Sequence, residues 1–232
     1  MIGAELLSDE SLTLSWLAYG PVLLWAAAKS PWVELFSDSR RQHLFLGTVF
    51  ALFALWLVRR DFDTGVSYHF IGMTAVTLLL DWPLAIVGGL LAQVGLVLLG
   101  RQDVAAVGVN GLLLICLPVL VTECCAILVE RAQPRNPFVY IFCSGFLAAA
   151  LSALLVLLAG LGLLWLDGRF EMPYWLSDFI GYLWLVIFPE AFINGMIVSA
   201  LVVFCPEWLE TFNRTRYLQA PWKDDEPPRG GS

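Results

Sequence analysis

Apolar positions along this chain come in long unbroken blocks and not in alternating stripes. Cut at the polar and Pro/Gly punctuation, the blocks run approximately over Leu12–Ala28, Gln42–Val58, Val66–Leu80, Pro83–Leu99, Val104–Val129, Phe138–Trp165 and Phe179–Phe204. Several approach or exceed the roughly 20 residues that a helix needs to cross a ~30 Å hydrocarbon layer. A transmembrane β-barrel would alternate in polarity along each strand, and these runs do not. The pattern predicts an all-α polytopic integral membrane protein of about seven transmembrane helices with short connections. Residues 1–212 form one transmembrane helical domain on this reading. Residues 213–232, ending APWKDDEPPRGGS, read as a disordered tail.

Composition agrees: 59% of residues are hydrophobic and 14% charged, where a soluble domain carries about 25% charged residues. The net charge of −7 comes from acidic residues in the ELLSDES start, the loops and the tail. No basic patch points to nucleic acid. The start, MIGAELLSDESLTLSW, has neither a basic region nor a small-residue cleavage site, so it is read as uncleaved. Basic residues set the orientation. With the N-terminus outside and the C-terminus cytoplasmic, the inner segments hold nine: Lys29, Arg40, Arg41, Arg131, Arg135, Arg214, Arg216, Lys223 and Arg229. The outer loops hold four: Arg59, Arg60, Arg101 and Arg169. The five cysteines, Cys116, Cys124, Cys125, Cys143 and Cys205, contain no CxxC pair and read as small buried hydrophobes without a disulfide.

Depth along the helices singles out candidate chemistry. From His69 to the Asp81-Trp82-Pro83 punctuation is roughly 20 Å of helix. The stretch DFDTGVSY before His69 must therefore dip into the protein, where irregular backbone is tolerated only if protein or water surrounds it. Measured from Pro206, Glu190 lies roughly 24 Å and Asn194 roughly 18 Å up the last helix, on one face at i, i+4 and just past Pro189. Asn110, in VGVNGLLL, falls near the outer end of the fifth block. His69, Glu190, Asn194, Asn110 and Ser67 are thus candidate ligand-binding residues of an outward-open pocket. The alternative is that they bond one another between helices. Met73, one turn from His69, reads first as core packing. Glu123 belongs to a deeper layer, and His43 lies at an interface beside Arg40 and Arg41. The rows Ser144, Ala148, Ser152 and Gly145, Ala149, Ala153 allow close helix approach.

The order of landmarks resembles a known family. The turn 65-GVSYHFIG-72 is followed by DWPLA, GGLLAQVGLVLLG, GVNGLLL and a late Pro-Glu helix ending PEW. This is similar to the CbiM/NikM-type cobalt/nickel permeases, the membrane substrate-binding subunits of energy-coupling-factor ABC transporters. The resemblance implies a substrate-capturing subunit in the bacterial inner membrane, working with a membrane coupling protein and two cytoplasmic ATPases. It further implies a transition metal ion as ligand, with His69 as the turn histidine that holds it. In that family the N-terminus folds into the pocket and a second-position histidine completes the chelate; here residue two is Ile2.

Two functions follow. One is a substrate-binding permease subunit of such an importer, with a metal or another small solute as cargo and no enzymatic activity of its own. No GxxxxGK[ST] loop, HExxH or GxSxG motif occurs, so ATP hydrolysis would rest with partners. The other, which Ile2 favours, is an accessory or structural subunit of a larger membrane complex.

Overall fold

In the computed structural model, residues 1–61, 65–132, 136–168, 176–213 and 217 are described. Besides two short 3-10 helices (Ala4–Leu6 and Pro206–Trp208), eight helices lie among them: α1 (Asp9–Lys29), α2 (Trp32–Ser37), α3 (Ser39–Leu57), α4 (Met73–Leu80), α5 (Trp82–Leu98), α6 (Val107–Ala132), α7 (Pro137–Leu166) and α8 (Leu176–Phe204). Ser8 caps α1 by accepting the Ser11 N–H, and Asp38 caps α3 by accepting that of Arg40. Pro137 at the first position of α7 wastes no hydrogen bond.

Four helices, α1, α6, α7 and α8, are long and apolar enough to cross a membrane, and α5 is apolar over 17 residues. They carry large apolar side chains outward, among them Leu24, Trp184, Phe188 and Phe204. A water-soluble surface would not display so many together, whereas a bilayer solvates them. The protein is a helical integral membrane protein.

The block expected over Val66–Leu80 departs from a full-length helix. Its first part is a β-strand, β2 (Ser67–His69), antiparallel to β1 (Arg59–Asp61), with Arg59 opposite His69 and Asp61 opposite Ser67. Its remainder is α4, only eight residues long and almost wholly buried. Asp81, with φ of 68°, ends α4 and starts α5. A helix of eight residues covers roughly 12 Å, so α4 does not cross the bilayer alone. It is an internal post around which the longer helices stand.

Two helices contain π-helical turns: Leu112–Cys116 in α6, directly after Gly111, and Ile141–Leu147 in α7. The first precedes Pro118, which cannot donate a backbone hydrogen bond. Close packing relies on small residues. A Cβ on Gly111 would fall on the Tyr19 ring of α1, and one on Gly195 of α8 on the Phe146 ring of α7. The small-residue rows of α7 are thus used inside the bundle, where Gly145 approaches Val198 and Gly195. The disordered tail expected over residues 213–232 lies almost entirely outside the described residues.

Candidate ligand site

The site is built where the β1–β2 hairpin, the chain start and α6 meet. Residues Met1–Gly3 run along the free side of β2. The Ser67 N–H donates to the Met1 carbonyl and the Gly3 N–H to the Gly65 carbonyl, both at 2.9 Å, with Ile2 paired to Val66. The Met1 nitrogen donates to the Ser67 carbonyl at 2.6 Å. Gly65 takes φ of +80° in this turn, a conformation that L side chains rarely adopt. The chain start is therefore a third strand-like edge on the hairpin, and not a free end.

Asn110 fixes that edge from α6. Its Oδ1 accepts the Ile2 N–H at 2.8 Å and its Nδ2 donates to the Ile2 carbonyl at 2.9 Å. Asn110 is fully buried, and Ile2 is buried with Leu7, Val109 and Leu164 in an apolar cluster.

Glu190 and Asn194 serve the start of α4. Gly72, the residue before α4, has φ of +70° and no side chain to cap the helix. Glu190, reaching in from α8, accepts the Ile71 and Gly72 N–H groups, each at 2.8 Å. Asn194 donates to Glu190 Oε1 at 2.8 Å and accepts the Ala75 N–H at 3.0 Å. Three N–H donors thus converge on one buried carboxyl group, which caps a helix from outside its own chain segment. The i, i+4 spacing did bring Glu190 and Asn194 together, and their backbone partners are Ile71, Gly72 and Ala75, which lead from His69 into α4.

His69 is 5% exposed and stands between these two clamps. Its Nδ1 lies 2.8 Å from the Phe70 carbonyl, which can only accept, so Nδ1 carries the hydrogen. The lone pair is then on Nε2, which is buried and has no hydrogen-bond partner among the described residues. The ring rests on Trp56, with centroids 5.5 Å apart, and Trp56 donates its indole N–H to the Ile71 carbonyl at 2.9 Å. No hydrogen bond joins His69 to Glu190, Asn194 or Asn110; the five candidates form two clamps and one imidazole whose Nε2 is unengaged among the described residues.

Beside the hairpin opens a cleft of about 440 Å³, lined by Met1, Arg59, Asp61, Ser67, Arg101 and Asn110 among others. Arg59 pairs with Asp61 at 2.8 Å. The Ser67 hydroxyl, donating to Asp61 at 2.6 Å, holds that carboxyl below its usual range, and Arg59 adds to this. Burial pushes the Met1 ammonium down to about 5, with Arg59 acting in the same direction.

The other expectations divide. Met73 is fully buried core. His43 is exposed at the start of α3, its Nδ1 near the Ser39 carbonyl. Glu123 is half-buried on α6 with one carboxylate oxygen unpartnered among the described residues. All five cysteines are free, as expected, but none is fully buried and Cys124 is exposed, because it faces out from α6. Among the described residues no three His, Cys, Asp or Glu side chains gather as a metal-binding group. Trp56, Arg59, Ser8 and Asp167 were not singled out from the sequence. A tryptophan within an apolar run and a serine before a helix carry no signal of distant contacts.

Comparison with known proteins agrees with this architecture. A crystal structure of a truncated transition metal transporter superposes with a TM-score of 0.70 at 20% identity, covering 87% of this chain and 98% of that one. A second crystal structure of a transition metal transporter gives 0.70 and 20%, covering 87% of this chain and 92% of that one. At this identity the likeness establishes the fold. No curated protein matches. The family model described as the cobalt uptake substrate-specific transmembrane region matches residues 2–208. The chain belongs to the CbiM family.

Proposed function

We propose that the protein is the substrate-capturing membrane subunit of a transition metal importer, and that His69 anchors the metal through Nε2. The observation that carries this is the buried Nε2 of His69, which has no hydrogen-bond partner among the described residues while Nδ1 faces the Phe70 carbonyl. A neutral imidazole nitrogen is a common ligand for nickel, cobalt and similar ions. The Met1 nitrogen, whose protonated form burial disfavours, is an electrostatic neighbour of the ring. Asn110 and Ser67 hold the backbone on one side of the site, Glu190 and Asn194 on the other. Family membership supports metal uptake. An energy-coupling-factor arrangement, with a membrane coupling subunit and cytoplasmic ATPases, fits a chain without a phosphate loop. The distribution of basic residues supports an N-terminus outside and the site open to the outer face.

One observation favours an accessory role. Ile2 fills the second position with an apolar side chain in a closed cluster, and it supplies no chelating nitrogen. Calorimetric titration of the purified protein with Ni²⁺ and Co²⁺, wild type beside His69→Ala, separates the two. Binding lost in the variant supports metal capture; no binding by wild type sinks it and leaves the accessory role. Co-purification with ATPase subunits tests the importer assembly independently.

A further inference from the structure

The segment before α1 is tied down at both ends, and the second tie lies on α7. Asp167, the residue after the last turn of α7, accepts hydrogen bonds from the Ser8 N–H, from the Ser8 hydroxyl at 2.7 Å and from the Ser11 hydroxyl at 2.8 Å. Ser8 is the N-cap of α1. A carboxylate here satisfies an otherwise open N–H and meets the positive end of the helix dipole. Further back along α7, Leu164 packs in the cluster holding Ile2 and Leu7, and the Ile2 side chain reaches towards Gly160. Residues 160, 164 and 167 follow i, i+4, i+7 spacing and share one helix face. That face is a track of roughly 10 Å along which residues 2–8 lie.

We propose that Asp167 is a positioning residue for the ligand site: it latches Ser8 so that residues 1–7 stay seated on α7 and against the His69 hairpin. This rests on the reading of that hairpin as the metal site. Asp167 bonds Ser8 and Ser11, at the end of the arm away from the hairpin. Its effect runs through the arm, whose other end is paired with Gly65–Ser67 and clamped by Asn110.

The full chain in detergent or nanodiscs, as wild type, Asp167→Ala, Asp167→Asn and Ser8→Ala, is compared by amide hydrogen exchange and by Ni²⁺ titration. Asp167→Ala is expected to speed exchange at Ile2 and Gly3 while leaving α5 and α6 unchanged. Ni²⁺ affinity falls by about tenfold or more, as when groups that orient a metal site are removed. Asp167→Asn, keeping one acceptor, falls between. Ser8→Ala, which keeps the Ser8 N–H and Ser11 hydroxyl bonds to Asp167 but loses the Ser8 hydroxyl bonds to Asp167 and to the Ser11 N–H, gives the same pattern more weakly should Asp167→Ala fail to fold. Unchanged exchange at Ile2 and Gly3 overturns the latch, as does acceleration spread evenly through the bundle. If wild type binds no Ni²⁺, the metal reading falls while exchange still decides whether Asp167 seats the arm.

Discussion

Asn110 holds Ile2 by both of its backbone polar groups, donating to the carbonyl and accepting the N–H across 108 residues of sequence. Both groups are buried. Asn110→Ala leaves them unpaired at about 1–3 kcal/mol each unless the arm undocks. Thermal unfolding in detergent should show a lower midpoint, with Asn110→Asp, which retains the acceptor alone, in between. Equal midpoints for Asn110→Ala and wild type would remove the clamp from the account.

Glu190 meets three donors, and a carboxylate is the side chain with acceptors for all of them. Glu190→Gln keeps the shape but turns an NH₂ group towards an N–H. A loss of about 2–3 kcal/mol is expected, read as a shifted denaturation midpoint. Addition of salt should leave the shift unchanged because the cluster is buried. A neutral substitution would mean that Ile71 and Gly72 find other acceptors.

Gly72 combines a positive φ with a near neighbour: a Cβ there would lie 2.8 Å from Leu55 Cδ2. Gly72→Ala should cost about 1–2 kcal/mol from backbone conformation alone, and more from the contact. The two parts separate in the double variant with Leu55→Ala, measured as a cycle of midpoints. Non-additivity reports the contact; full additivity would show that Leu55 moves aside freely.

Gly111 and Gly47 form a contrasting pair within helices. Tyr19 occupies the space that a Cβ at Gly111 needs, whereas nothing lies within 4 Å of one at Gly47. Gly111→Ala should destabilise by about 1–3 kcal/mol. Gly47→Ala, on an exposed face of α3, should be neutral or stabilise by about 0.5–1 kcal/mol. Equal effects at both sites would contradict the packing of α1 on α6.

The apolar blocks located the long helices within a few residues, since burial in lipid demands unbroken apolar runs. They also indicated that the interval from His69 to Asp81 is too short to span, and α4 there has only eight residues. The hairpin itself was not legible: Arg59–Asp61 and Ser67–His69 are three-residue strands whose pairing is tertiary. His69, Glu190, Asn194 and Asn110 stood out because intramembrane polar groups are costly. Their partners did not, because those partners are backbone groups, which every residue type supplies alike. Ser8 and Asp167 look in sequence like ordinary helix-end residues.

The contacts of the first eight residues are also an ordering in time. Ile2 needs Asn110, and Ser8 needs Asp167, 159 residues downstream. At about 5–20 residues per second, residues 1–8 wait roughly 10–30 s before their last anchor exists. Residues 1–8 are thus made well before they can be seated, and their second anchor does not exist until α7 has been made.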